Sequence, residues 1–365
     1  MKQHVIMVDS LTERLAEAVS AISFDRLFCL TDTNTLQLCW PLISDVPVMK
    51  GSVMITIGAT DNNKTIESLM HVWESLQKGG ATRHSLLVNL GGGMVTDLGG
   101  FAASTFKRGI KYINIPTTLL SQVDASVGGK TGINFGGLKN EIGVFNLSES
   151  VLLAPDFLRT LDDYNLLSGY AEMLKHGLLD SKEHLTELLA FDPTTVRGGD
   201  VALGQQLVRM VECSVAVKQR IVEGDLMEFG VRKALNFGHT AGHAIESLAM
   251  EDNRTVLHGY AVAWGLVMEL YMSAVKCGFP SQVFHQVEAY VREYYGKFHY
   301  ECRHYDRLIE FIRHDKKNVG KVINFTLLGG IGDIRINQAC NMVEIEQMLD
   351  YYRESIAILA RQQIK

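Results

Sequence analysis

The sequence predicts an α/β amino-terminal domain with a mostly parallel sheet, residues 1–155, followed by a mainly α-helical domain, residues 156–365. Short β-branched apolar runs alternate with stretches of helical period as far as Pro155. A triple glycine stands between one such run and a helical stretch, the place where open α/β sheets bind ligands. Beyond Pro155 the period lengthens into successive helices.

In chain order, Leu11 to Ile22 has helical spacing and Arg26 to Thr31 is a buried strand ending in Thr-Asp-Thr-Asn. Val53 to Ile57 is a second strand, Thr65 to Leu76 an amphipathic helix, and Ser85 to Leu90 a third strand running into Gly91, Gly92 and Gly93. A helix begins near Met94, and strands recur at Tyr112 to Ile115 and Val151 to Ala154. The glycines can bring backbone N–H groups to a pyrophosphate at a helix start, although a plain tight turn explains them as well. Thr96 breaks the G-x-G-x-x-G pattern, so with Asp97 the segment suggests a dinucleotide site of a different type. Thr117 and Thr118 can add hydroxyls at the same edge.

Asp124 to Asn140 is rich in glycine and carries Lys130, Lys139 and Asn140; it reads as a flexible cationic loop, either solvated or suited to an anion. The Walker A spacing is absent, which argues against ATP hydrolysis. In the second half, Glu172 with Lys175 and His176 shares a helical face, as a simple ion pair or as a metal carboxylate. His239 and His243, spaced one helical turn apart, can share a divalent ion or can be a hydrogen-bonded pair, and His258 is the natural further ligand. No Glu follows His239, so the metalloprotease HExxH pattern is missing. Lys218, Arg232 and Asn236 lead into this stretch, and Asp315-Lys-Lys-Asn precedes a hairpin formed by Val322 to Leu328 and Asp333 to Ile336.

Composition narrows the class. A net charge of −6 over 365 residues gives no field to attract nucleic acid or an anionic membrane. An anionic ligand must therefore be held by a local cluster of Lys and Arg. The six cysteines are scattered without CxxC, which suggests reduced thiols and a cytoplasmic protein. Neither a signal peptide nor a membrane span is expected, since the most apolar stretch, Tyr260 to Val275, contains Glu269.

Taken together, the motifs Gly-Gly-Gly-x-x-x-Asp, Pro-Thr-Thr-Leu-Leu, Val-Asp-x-x-Val-Gly-Gly-Lys-Thr, Ala-Glu-x-x-Lys and Asn-Phe-Gly-His-Thr-x-Gly-His-Ala, in this order, closely resemble the 3-dehydroquinate synthase family. The resemblance implies an NAD-binding amino-terminal domain and a helical domain, with the active site in the cleft between them. It implies that Glu172, His239 and His258 hold zinc or cobalt, and that His243 contacts substrate or supports the ligands, so that only one histidine of the pair is a ligand. It places Asp32, Asn34, Asp61, Lys64, Gly92, Gly93, Asp97, Thr117, Thr118, Lys130 and Lys139 around NAD. Asp124, Lys130, Lys175, Lys218, Arg232, Asn236 and His243 take catalytic roles, and Arg108, Lys139, Asn140 and Lys316 bind substrate.

The implied reaction converts 3-deoxy-D-arabino-heptulosonate 7-phosphate to 3-dehydroquinate and phosphate through oxidation, elimination, re-reduction, ring opening and aldol closure, with NAD regenerated. It belongs to the shikimate pathway of aromatic amino-acid biosynthesis. A homodimer is also implied. Tyr260 replaces the family's usual Glu after His258-Gly259, and Ala59-Thr-Asp-Asn-Asn-Lys replaces Pro-Gly-Glu-x-x-Lys. Alternatives are a valiolone-type cyclase, a metal-dependent polyol dehydrogenase and a silent NAD-binding protein.

Overall fold

A computed structural model describes residues 3–8, 10–136, 138–198, 201–314 and 323–355. By packing, the described residues up to Gly169, together with those of 201–219, form one compact unit; Tyr170–Gly198 and the described residues from Arg220 onward form the other. Pro155 marks the change from strands to helices, and the change of unit comes later, inside a helix.

The elements are β1 (His4–Met7), α1 (Leu11–Ser20), β2 (Leu27–Asp32), α2 (Thr33–Leu38), β3 (Val53–Ile57), α3 (Ile66–Lys78), β4 (Leu86–Gly91), α4 (Gly93–Thr105) and β5 (Lys111–Pro116). There follow β6 (Lys130–Phe135), β7 (Leu138–Phe145), β8 (Ser150–Leu153), α5 (Asp163–Asp180), α6 (Lys182–Leu189), α7 (Val201–Gly224) and α8 (His239–Glu251). The chain continues through α9 (His258–Cys277), α10 (Ser281–Tyr295), α11 (Tyr305–His314), β9 (Ile323–Gly330), β10 (Asp333–Cys340) and α12 (Met342–Glu354).

The first unit holds a six-stranded sheet in the order β1-β8-β5-β4-β2-β3, parallel throughout. Alternation along each strand builds two cores. Leu27 and Cys29 of β2, with Leu86, Val88 and Leu90 of β4, pack against Leu11, Leu15 and Val19 of α1. Phe28, Leu30 and Leu87 face the opposite way, onto Leu69, Val72 and Leu76 of α3 and Val95, Leu98 and Ala102 of α4. Strands buried on both faces are mostly apolar, which is why they appear in the sequence as near-continuous runs, and the buried Asn89 of β4 and Asn114 of β5 pair with each other by a hydrogen bond.

The segment expected to be a flexible loop is instead ordered as the antiparallel hairpin β6–β7. Its glycines serve close approach rather than mobility. A Cβ on Gly132 would lie 2.5 Å from the Ile142 oxygen, and one on Gly143 would lie 2.1 Å from the Thr131 oxygen, so the two glycines let the strands pair across them. Ile133 anchors the hairpin in the α3–α4 core.

In the second unit, α8 and α9 meet backbone to backbone. A Cβ on Gly265 would stand 2.0 Å from the Gly238 oxygen and 2.7 Å from the Gly242 nitrogen, and one on Gly242 would stand 2.8 Å from the Ala261 oxygen. β9 and β10 form the expected antiparallel hairpin, tied to α9 where the Leu328 amide donates to Ser273 Oγ at 3.0 Å. No helix of the described residues is long and apolar enough to cross a membrane. Because nothing at the α8–α9 contact can yield without moving backbone, Gly265→Ala is expected to destabilise the fold by about 2 kcal/mol or more, read by urea unfolding. An unchanged midpoint would contradict so close a contact.

Candidate active site

In the first unit, the carboxyl ends of the parallel strands gather most of the residues expected around a nucleotide. Asp32 ends β2, Asp61 and Lys64 follow β3, Gly92 and Gly93 follow β4, and Thr117 and Thr118 follow β5. Helix α4 begins at Gly93, and its N-cap, Gly92, has no side chain to cap the first amides, so its N-terminal N–H groups and dipole can serve an anion. Neighbours crowd this turn: a Cβ on Gly92 would lie 3.1 Å from Thr118 Cγ2, and one on Gly93 would lie 3.2 Å from Ala125 Cβ. The glycines therefore leave a cradle that side chains would fill.

The acidic groups are already engaged. Asp32 Oδ1 accepts from the Asn34 and Thr35 amides at 2.8 and 2.9 Å and so caps α2. Lys64, fully buried, donates to Asp97 Oδ2 at 2.5 Å and also to Asn140 Oδ1. Burial pushes the Asp97 carboxyl up despite the Lys64 ammonium beside it. Asn134 links the hairpin to the 59–64 segment: its Nδ2 donates to Asp61 O at 3.2 Å, while its Oδ1 accepts from the Asn140 amide at 2.9 Å. Lys139 Nζ stands 3.4 Å from Asp61 Oδ2. Thr60 occupies φ +74°, unusual for a β-branched residue, where the family pattern has glycine. Asn63 Nδ2, donating to Ala59 O at 2.5 Å, helps hold that turn.

Lys218 Nζ donates to the Asp124 side chain at 2.6 Å and to its carbonyl at 2.5 Å. Lys130 opens β6 as an exposed residue. Arg108 is not brought to this group. It precedes β5, at the amino edge of the sheet, beside Arg83 and Lys107, because β5 runs from that edge toward Thr117. Lys316 lies outside the described residues.

The second unit assembles the metal candidates. Glu172 of α5 is wholly buried, and neither carboxylate oxygen makes a hydrogen bond, although the Lys175 ammonium contacts Oε2. His239 Nε2 is 3.4 Å from Glu172 Oε1, and His258 Nε2 is 3.5 Å from the same atom. Ligands about 2.0–2.1 Å from a tetrahedral ion stand about 3.3–3.4 Å apart. Glu172 Oε1 thus stands from each imidazole nitrogen at the spacing of two ligands on one ion. The rings are also turned correctly. His239 Nδ1 faces the Phe237 oxygen at 3.1 Å and His258 Nδ1 faces Glu246 Oε2 at 3.3 Å, so either ring, when neutral with its proton on Nδ1, turns its Nε2 lone pair toward the space beside Glu172 Oε1.

His243 remains close by: one nitrogen each of His239, His243 and His258 lies within 4.8 Å of the others. His243 packs edge-on against His239 at 5.3 Å between ring centres. Nearby, Arg232 is buried and donates to the Leu226 oxygen at 2.5 Å, and Asn236 donates to Glu228 Oε1 at 2.9 Å.

Burial alone would raise the Glu172 pKa, but the Lys175 ammonium and His239 hold it well below the usual carboxylate range. Burial and the Lys175 charge lower that of His239. For His258, burial works downward, yet the carboxylates of Glu172 and Glu246 beside it push it up to about 10. Glu246 and the Phe237 carbonyl escaped the sequence reading. Glu246 lies about two helical turns after His239, so the face rule that paired the histidines also reaches it. A backbone carbonyl leaves no sequence signal.

Family models described as 3-dehydroquinate synthase N-terminal and C-terminal match residues 54–168 and 169–318. A 3-dehydroquinate synthase of Parabacteroides distasonis is 52% identical over 98% of this chain and 99% of its own length. Another, from Clostridium tetani, is 36% identical over 95% and 92%. Among solved structures, ValA, a 2-epi-5-epi-valiolone synthase from Streptomyces hygroscopicus with NAD+ and Zn2+ bound, superposes with a TM-score of 0.86 at 26% identity, covering 97% of this chain and 98% of its own. A 2-deoxy-scyllo-inosose synthase, at 18% identity and a TM-score of 0.78, shares the fold. The chain belongs to the 3-dehydroquinate synthase family.

Proposed function

We propose that this chain is a 3-dehydroquinate synthase, a phosphate-eliminating carbon–oxygen lyase dependent on NAD and a divalent metal. It would convert 3-deoxy-D-arabino-heptulosonate 7-phosphate to 3-dehydroquinate and phosphate in the shikimate pathway. The observation that carries the reading is that Glu172 Oε1 stands at ligand spacing from both His239 Nε2 and His258 Nε2, in a chain 52% identical to a 3-dehydroquinate synthase. When bound, NAD supplies reversible hydride transfer, and zinc or cobalt supplies a Lewis acid for substrate hydroxyls.

The residues themselves divide the work. The α4 N-terminus with Gly92 and Gly93 takes the nucleotide's phosphates; Asp32, Asn34, Asp61, Lys64, Asp97, Thr117 and Thr118 surround it. The substrate carries a phosphate and a carboxylate, which need charge-assisted donors in an acidic chain. Lys130, Lys139, Asn140, Lys175, Lys218, Arg232 and Asn236 are the candidates for them, with Lys316, and Arg108 despite its place at the amino edge, as candidates by resemblance alone. Asp124 holds the Lys218 ammonium in place. His243 can contact a substrate hydroxyl from its place against His239. Positioning of a phosphate that can act as its own base asks little further acid–base chemistry of the protein. The six free cysteines suit a cytoplasmic enzyme, and a homodimer is part of the reading on resemblance alone. A valiolone-type product finds support in the ValA superposition, but the higher identity to the dehydroquinate synthases favours the first reading.

Two outcomes follow. A histidine held protonated up to about pH 10 must lose its proton to ligate a metal, so zinc uptake by the metal-free protein at neutral pH should release a proton. Apparent affinity should then rise about tenfold per pH unit through the neutral range; calorimetry in buffers of differing ionisation enthalpy reads both, and pH-independent uptake would contradict this His258 environment. His258→Ala should abolish turnover while NAD affinity stays nearly unchanged, because the candidate groups for metal and nucleotide draw on different parts of the chain. Parallel loss of both in titrations would refute that division.

A further inference from the structure

Helix α8 begins at its candidate ligand, His239, and no side chain of its own caps it. Gly238 stands before it at φ +79°, so the first amides of the helix must find acceptors elsewhere. They find them in α9. Glu269 is wholly buried, with Oε2 accepting from the Gly238 amide at 2.7 Å and Oε1 from the Ala241 amide at 3.0 Å. These amides bracket His239. A carboxylate at a helix N-terminus also meets the positive end of the helix dipole, and bonds from N–H to an ionised oxygen are the stronger kind.

Glu269 lies one turn beyond Gly265, where the backbone of α8 comes too close to admit a Cβ. The helix that starts at His258 therefore both receives the start of α8 and caps it. We infer that Glu269 is a positioning residue for the metal centre: through the Gly238 and Ala241 amides it fixes where His239 Nε2 stands relative to His258 Nε2 and Glu172 Oε1. The inference rests on the metal-binding reading above. A glutamine in its place keeps the shape but presents an N–H toward one of the two amides, so one bond is lost and α8 must shift at its first residue.

The test compares the full-length protein with Glu269→Gln and Glu269→Asp, measuring zinc and cobalt affinity by chelator competition and NAD affinity by titration. The glutamine variant should bind metal about 10- to 100-fold more weakly, as loss of an outer contact to a ligand commonly does, with NAD affinity unchanged. The aspartate variant, which keeps the charge on a shorter arm, should lose less. Excess metal should restore part of kcat, which general unfolding would not allow. A folded glutamine variant with unaltered metal affinity would overturn the inference. Unmutated protein that takes up no metal would instead overturn the reading beneath it, and this inference with it. Should neither variant fold, amide exchange on metal-free, unmutated protein decides: the peptide spanning 238–242 should be as protected as the middle of α8, and exchange at the rate of a frayed helix end would overturn the cap.

Discussion

A carboxylate wholly removed from water, as that of Glu172 is, loses several kcal/mol of hydration unless charge or metal is fixed against it. Here the surroundings are Lys175 from the same helix and two imidazoles from the starts of α8 and α9. The lysine compensates the charge, and the imidazoles leave the oxygen unbonded at a spacing that an ion would close. Most of the second unit's architecture serves to make those distances hold. Glycines at 238, 242 and 265 let two helices touch through backbone, which puts His239 and His258 at adjacent helix starts. Longer side chains at that contact would separate the two rings and leave the Glu172 carboxylate with Lys175 as its partner.

The first unit solves a different problem, that of presenting backbone donors to an anion. A parallel sheet sends every strand's carboxyl end to one edge, so the turns after β2, β3, β4 and β5 collect there without further design. The β6–β7 hairpin is then pinned to that edge by Asn134 and by the Lys64 contacts with Asp97 and Asn140. Groups that resemblance divides between nucleotide and substrate are thus one hydrogen-bonded network in this chain. Thr60 shows how firmly the turn is held, since a β-branched residue keeps the backbone shape for which the family pattern uses glycine.

Much of this was legible in the sequence. Doubly buried strands announce themselves as apolar runs, and helical spacing put His239 and His243 on one face. The order of the motifs supplied Glu172 and His258, whose distance in the chain from His239 no periodicity could bridge. Local pattern misled at Asp124 to Asn140, where glycines that allow strands to pair cannot be told from glycines that allow a loop to move. Arg108 is a limit of another kind: a motif match gives a residue's identity, and only the strand direction shows that it stands at the amino edge. Glu269 acts through amides distant in sequence and the Phe237 carbonyl is backbone, and neither leaves a motif.

The most direct test of the account is phosphate release from 3-deoxy-D-arabino-heptulosonate 7-phosphate with zinc or cobalt supplied, NAD at trace level, and NADH absorbance followed together. The account predicts many phosphates released per NAD with no accumulation of NADH, since the cofactor must end each cycle as it began. NADH building up on a simple polyol, with no phosphate released, would contradict it.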